Sequence, residues 1–389
     1  MKKIIISLWM LVAILAPPAL TSCGKDGGNE PEPDNGDSKQ LSGSVRSVMT
    51  LDASAEYLLT GPLIVEEGAE LHIPAGTLIK ARKGFGSYIL VQQGGKINVN
   101  GTAERPVTMT ADAEDASPGH WGGLIINGRA PLSGGETGRT EINNACTYGG
   151  TDAADNSGTL TWLILAFTGA RSSADVEHNG LTLNGVGNAT RIENICIRHS
   201  ADDGIEFFGG TVNVRNLLVV NPDDDMFDFT QGYSGTLENA FGIWEEDYVS
   251  SEEDPRGVEA DGNLDGNNPG QHGQSDFTIR NMTIDLRTAA ATTEGYYMHD
   301  VLKIRRGARV TVQNALVKGC GQAKDLVDMT DGKGAGNATT AISITNALTA
   351  PLSGVEKNGT AGNITVIPGN TGCPSGIFAW TGYNLDAGN

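Results

Sequence analysis

Arg191-Ile192-Glu193-Asn194-Ile195 is followed along the chain by Val214-Arg215-Asn216-Leu217, Leu237-Glu238-Asn239-Ala240, Ile279-Arg280-Asn281-Met282 and Val312-Gln313-Asn314-Ala315. Each segment sets an apolar residue, a polar one, an asparagine and a second apolar residue in the same order. Successive asparagines lie 22, 23, 42 and 33 residues apart. The first two intervals fit one turn of a solenoid, and the longer two read as a turn, or nearly two, carrying a loop insertion. The predicted fold is all-β, a right-handed parallel β-helix built as a single-stranded solenoid. At a tight corner an asparagine side chain can bond its own rung and the next. A stack of them satisfies backbone groups that would otherwise be buried unpaired. A structural role is therefore expected for Asn194, Asn216, Asn239, Asn281 and Asn314.

Upstream of the repeat, Leu63-Ile64-Val65, Glu70-Leu71-His72-Ile73, Thr77-Leu78-Ile79-Lys80, Tyr88-Ile89-Leu90-Val91, Lys96-Ile97-Asn98-Val99 and Val107-Thr108-Met109-Thr110 alternate or run apolar between Gly, Pro and Asn breaks. Such runs are short strands. Glycine supplies 53 of 389 residues, close to twice the usual share of about 7%, as many turns require. The β-helix is expected over residues 41–340, with an acidic insertion near 245–275. Residues 341–389 are expected to add strands that cover the helix end.

The chain opens with Met1-Lys2-Lys3, an apolar run from Ile4 to Leu20 containing Pro17-Pro18, and Leu20-Thr21-Ser22-Cys23. Residues 1–22 read as a lipoprotein signal peptide and Cys23 as the lipidation site. A permanent span would need roughly 20 unbroken apolar residues. Each buried methylene of the acyl chains contributes about 0.8 kcal/mol, so lipid on Cys23 is the expected link to a membrane. Residues 23–40, poor in large apolar residues and rich in Gly, Pro and acid, form a flexible tether. Acids soon after the cysteine resemble the surface-export signal of Bacteroidota lipoproteins, and that resemblance implies an outer-membrane protein facing the cell exterior. Cleavage removes Lys2 and Lys3 and no acid, taking the net charge from −20 to −22. Such a surface repels nucleic acid and favours cations, neutral glycans or proteins. Cys146, Cys196, Cys320 and Cys373 make no metal-ligand spacing and are read as disulfides of an oxidising compartment or as free thiols.

A family resemblance enters with His120-Trp121-Gly122-Gly123-Leu124-Ile125-Ile126-Asn127-Gly128, Tyr148-Gly149-Gly150-Thr151, Asn179 to Gly187, and Asp202 to Asn213. In this order they resemble Bacteroidota surface lipoproteins with a right-handed parallel β-helix, over roughly residues 59 to 330. The resemblance implies the fold and no activity.

Acids cluster one turn apart: Asp202, Asp203 and Glu206, then Asp223, Asp224, Asp225 and Asp228. Stacked rungs bring such carboxylates within about 5 Å, so they share a cation, share a proton or splay into water. Solvated turns are the expectation for Asp202 and Asp223. A hydrolytic reading rests on motif order, since polygalacturonase-like hydrolases carry similar segments on the same fold. Their counterparts here are Asp203 in Ala201-Asp202-Asp203-Gly204, Asp224-Asp225, His272 in Gln271-His272-Gly273, and Lys303-Ile304-Arg305. The first segment lacks its Asn-Thr pair and the basic segment is inverted. A calcium reading rests on Asp261, Asn263 and Asp265 in Asp261-Gly262-Asn263-Leu264-Asp265-Gly266, the spacing of an EF-type loop, whose twelfth position is His272 and not glutamate. Trp244, at the start of the polar insertion, is the expected sugar-stacking residue. The paired aromatics Phe207-Phe208 and Phe227 with Phe229 are expected to plug the core.

Together these features predict a lipid-anchored surface protein that binds an extracellular glycan or protein, with calcium a candidate cofactor and an ion-free Asn/Asp/Gly turn the alternative at its site. Binding is preferred to catalysis. The rivals are a polysaccharide hydrolase or lyase working in a groove of the helix, and a structural or adhesive surface protein.

Overall fold

The computed structural model describes residues 38–135, 137–173 and 176–385. The expected signal peptide, Cys23 and the expected tether up to residue 37 lie outside the described residues. Ser38-Lys39-Gln40, expected in the tether, already belong to the strand Ser38–Val45. A 23-stranded sheet winds into a right-handed parallel β-helix. Neighbouring turns pair in parallel, as Arg191–Arg198 does with Asn213–Val220. All six upstream segments fall in strands, apart from Thr77, which precedes the strand Leu78–Ala81. No helix of the described residues is long and apolar enough to cross a membrane.

Each turn of the repeat bends at its asparagine. Asn194, Asn216, Asn239, Asn281 and Asn314 all adopt positive φ, between 53° and 60°, which asparagine tolerates better than other side chains. The bend divides one strand between two faces of the solenoid. Asn216 Nδ2 donates to Asn194 Oδ1 at 2.8 Å, Asn239 to Asn216 at 2.8 Å, Asn281 to Asn239 at 2.9 Å and Asn314 to Asn281 at 2.9 Å. The bond from Asn281 to Asn239 makes the 42-residue interval a single turn, not nearly two. The acidic insertion is also not one loop. Arg256–Asp261 within it is a strand of the third face, paired with Phe227–Thr230 on one side and Tyr297–Arg305 on the other. Two loops flank it.

Inward positions form one continuous core. Phe207 stacks on Phe229 at 4.8 Å and Phe229 on Phe277 at 4.3 Å, a file of rings along the axis. Full burial of such a ring contributes about 1.5–3 kcal/mol. Trp244 is 0% exposed. It ends the strand Thr236–Trp244 and packs against Tyr248, so it is a core residue and not the sugar platform expected of it.

The C-terminal part also departs from expectation. Ala341–Leu348 and Asn363–Val366 continue the sheet, but the chain then turns back along the flank. Cys373, Phe378 and Leu385 pack on Cys196, Leu218, Val220, Phe241 and Ile243 in a second apolar cluster outside the solenoid. Arg198 donates to the Thr381 carbonyl and Arg287 to that of Leu385, both at 2.7 Å. These residues form a strap on the side of the helix and not a cover on its end. Cys146, Cys196, Cys320 and Cys373 are all free thiols.

Candidate functional site

The third face carries ionisable residues in vertical register. Glu206 lies opposite Asp228, Asp228 opposite Glu259, Glu259 opposite Lys303, and Lys303 opposite Asp328. A second column stands at the corner before it. There Asp203 Oδ1 accepts the Asp225 backbone N–H at 3.0 Å, and Asp225 Oδ1 accepts that of Arg256 at 2.8 Å. Each acid thus ties its turn to the next. Oxygens of Asp202, Asp203 and Asp224 lie within 4.8 Å of one another, as do those of Asp203, Glu206 and Asp228, and those of Asp225, Asp228 and Glu259.

Burial pushes the carboxyls of Asp202, Asp203, Glu206, Asp224, Asp225 and Asp228 well above the ordinary range. Neighbouring carboxylates push them further, because like charges in low dielectric oppose ionisation. Asp202 is half-buried and its carboxyl is grouped with those of Asp203 and Asp224, so it is not the freely solvated turn residue expected. Nor is Asp223, which accepts the Ser251 backbone N–H at 2.8 Å and the Tyr248 hydroxyl at 3.2 Å, holding the first insertion loop to the helix. Asp224 Oδ1 and Asp228 Oδ1 are buried without a hydrogen-bond partner.

Further along the same face, cations answer the acids. Arg256, 5% exposed, lies 2.9 Å from Glu259, 3.5 Å from Asp300 and 3.9 Å from Asp225. Lys303 pairs with Asp328 at 2.5 Å. Arg305 bridges Glu259 and Asp261, both at 2.7 Å. Lys303 and Arg305, expected in catalysis, are committed to these pairs. His272 is exposed beside Gly135 and belongs to none of the acid groups among the described residues. The hydrolase-like motif order therefore does not become one constellation. Only Asp203, Asp224 and Asp225 come together.

The EF-type spacing does not become an ion cage either. Asp261 is held by Arg305 and by Arg306 at 2.6 Å. The Asn263 amide donates to Gln274 at 2.8 Å and accepts the Asn268 N–H at 2.9 Å. Asp265 sits in a short 3-10 turn at φ 52°, facing a cavity instead of joining the other two.

That cavity, 660 Å³ in volume, is floored by Thr182, Asn184, Glu206 and Phe208. The antiparallel hairpin of Gly138–Thr140 and Asn143–Tyr148 borders it. Asn127 Nδ2 donates to Thr140 Oγ1 at 2.6 Å, and the Tyr148 hydroxyl to Gln231 Oε1 at 2.8 Å, pinning the hairpin over the face. His178 and Asn179 line another side. Asn179 Nδ2 donates to Glu206 Oε2 at 2.6 Å, leaving its Oδ1 buried without a partner. His178 Nε2 lies 3.0 Å from the Phe85 carbonyl. A carbonyl only accepts, so Nε2 carries the hydrogen and the unpartnered Nδ1 is an acceptor. Burial lowers this imidazole to about 4, keeping it neutral.

A larger cavity of 820 Å³ lies on the flank near the strap, lined in part by Glu245, Tyr248, Arg287 and Tyr383. Its strongest polar groups are already engaged. Glu245 accepts from Tyr383 and Asn221, and Arg287 serves Asp285 and the Leu385 carbonyl. The cavity over Glu206 is smaller but joins the acid column, and the chemistry follows it.

Sequence reasoning missed Arg256, the hairpin, His178 and the coupling of Asn179 to Glu206. Arg256 had a signal, since Val258 and Ala260 alternate with polar residues beside it. The hairpin had none that names the turn it folds over. No curated protein and no solved structure matches the chain. A family model described as a pectate-lyase-like β-helix domain matches residues 43–368, and with the coil, its parallel ladders and its charged third face in view, the chain belongs to that family.

Proposed function

We propose that the chain is an outer-membrane lipoprotein, held by acyl chains on Cys23 and facing the cell exterior, whose β-helix binds an extracellular glycan in the cavity over Glu206. The cavity carries this reading. Tyr148 and Phe208, with ring centroids 6.2 Å apart, offer apolar ring surface among amide, hydroxyl and carboxyl groups, the mixture that holds a sugar. A glycan array with the full mature chain tests it: binding is expected, and Tyr148→Ala should abolish it. Array silence for the unaltered protein would sink the reading. Anchoring is tested separately by the mass of the N-terminal peptide, which should carry lipid and lose it in Cys23→Ser.

Glycan hydrolysis is a second reading, favoured by Glu206. Burial, and Asp228 beside it, raise its carboxyl well above the ordinary range, so it holds a proton to donate to a leaving oxygen. Release of reducing sugar, lost in Glu206→Gln, would establish it. A calcium ion among Asp203, Glu206 and Asp228 is a proposal of its own, favoured by the unpartnered Asp228 Oδ1. These hard oxygens suit the ion. Its mark would be a melting temperature raised by calcium and lowered by chelator.

A further inference from the structure

The cavity over Glu206 is richer in acceptors than in donors, and that narrows its ligand. Glu141, Glu177, Glu206 and Asp265 line it against one guanidinium, Arg139, among the described lining residues. Arg139 donates to the Asn144 carbonyl of its own hairpin at 2.8 Å. Arg171, outside the lining, lies 3.0 Å from Glu177, and Glu141 accepts the Glu177 backbone N–H at 3.4 Å, so both are engaged and Glu206 and Asp265 remain to set the sign of the cavity. Two further groups are independent of the acids. His178, 1% exposed, and Asn179, 3% exposed, each carry an acceptor without a partner, Nδ1 and Oδ1. A buried acceptor left unpaired is unfavourable, and a donating ligand would recover that loss. Hydroxyls donate, ammonium groups donate three times and carry the complementary charge, and carboxylates do neither.

We infer that the cavity takes a glycan residue bearing a free ammonium group, an amino sugar, and rejects uronic acids. The inference rests on the glycan-binding reading and goes beyond it by naming the ligand class. It also runs against the acidic polymer that the family's descriptive name suggests. On binding, Glu206 would release to water the proton that burial and Asp228 hold on it, and the ammonium would lie against the carboxylate so formed, with sugar hydroxyls turned to His178 and Asn179.

The test is titration of the full mature chain, in detergent with chelator, with three oligomers of equal length: glucosamine, N-acetylglucosamine and galacturonate. Glucosamine oligomers should bind at least about tenfold more tightly than the acetylated ones, the factor expected of one charge-assisted hydrogen bond. Glu206→Gln should erase that preference and Glu206→Asp retain part of it, with thermal melts confirming that both fold. Equal or tighter binding of N-acetylglucosamine would overturn the inference while leaving the cavity a glycan site. So would tighter binding of galacturonate, with or without added calcium. Failure of every glycan on an array would instead remove the reading beneath it.

Discussion

The third face holds two regions that differ in the setting of their acids. Over the turns of Glu206 and Asp228, the buried Asp203, Asp225 and Asp228 and the half-buried Asp202, Glu206 and Asp224 stand together, with no cation on the strands Ile205–Phe208 and Phe227–Thr230. Over the turns of Glu259, Lys303 and Asp328, acids interleave with Arg256, Lys303, Arg305 and Arg306. Asp328 and Asp331 respond in the opposite direction to the first set, while Glu259, where the two regions meet, is still raised by burial against the pull of Arg256 and Arg305. Burial and mutual repulsion raise the first set well above the ordinary range. In the second, Lys303 and Thr330 hold Asp328 below it, and the Lys333 N–H and Arg306 hold Asp331 below it, despite burial. The parallel ladder is the same in both regions, so what separates them is how deeply the acids are desolvated and how closely cations answer them.

Removing Arg256 should break the contrast most. Arg256→Met leaves Asp225, Glu259 and Asp300 without their shared cation, and unpairing buried charge costs about 3–5 kcal/mol. Urea denaturation at pH 7 reads the loss. An unchanged midpoint would mean that the second half is not held by its pairs. Asp228→Asn should act in the opposite direction. It removes a raised, partly unpartnered carboxyl and should stabilise the protein by about 1–2 kcal/mol at neutral pH.

The pH dependence of stability gives a finer measure. For the raised acids, stability is fully present below their unfolded values near 3.8 and 4.5 and is lost as pH rises through their folded ones. Asp328 and Asp331 behave oppositely, contributing above 3.8 and losing that contribution as pH falls through their lowered values. The raised acids outnumber the lowered ones, so the melting temperature should rise as pH is brought from 7 towards 5. In an Asp203→Asn, Asp228→Asn double variant that rise should shrink. The smallest effect belongs to Arg309→Ala. Its pair with Asp276 is 3.0 Å long, but the two side chains are 49% and 52% exposed, and such pairs contribute about 0–1 kcal/mol. A large loss there would show that pairing, and not burial, separates the two halves.

Much of the fold was legible because its rule is local and repeats. The asparagine spacing found the turns, and alternation found the strands around Ile79, Ile97 and Met109. Where the period failed, so did the reading. Acids on both sides of Arg256–Asp261 hid a strand of only six residues, so one insertion was expected in place of two loops. Trp244 was placed in solvent by its neighbours Glu245 and Glu246, although the bend at Asn239 resets which residues face inward and carries it into the core. The acids of the candidate site were found by their 22-residue spacing, but their burial was not. It comes from the hairpin at Tyr148 and the loop held by Asp223, and which turn a loop folds over is a tertiary fact. The EF-type spacing misled because local sequence cannot show that Arg305 and Arg306, some 44 residues on, reach Asp261.

The strap sets how this molecule comes apart. Rungs joined only to their neighbours behave as a linear stack, free to fray one turn at a time. The bonds of the asparagine stack span 22 to 42 residues, whereas the bond from Arg198 to Thr381 spans 183. That long closure links turns laid down early to residues laid down late. Folding should therefore show quick propagation along the coil followed by a slower docking phase. Once Phe378 is seated against Phe241, the middle turns should open together, and a protease nick ahead of Gly372 should be enough to make them fray singly.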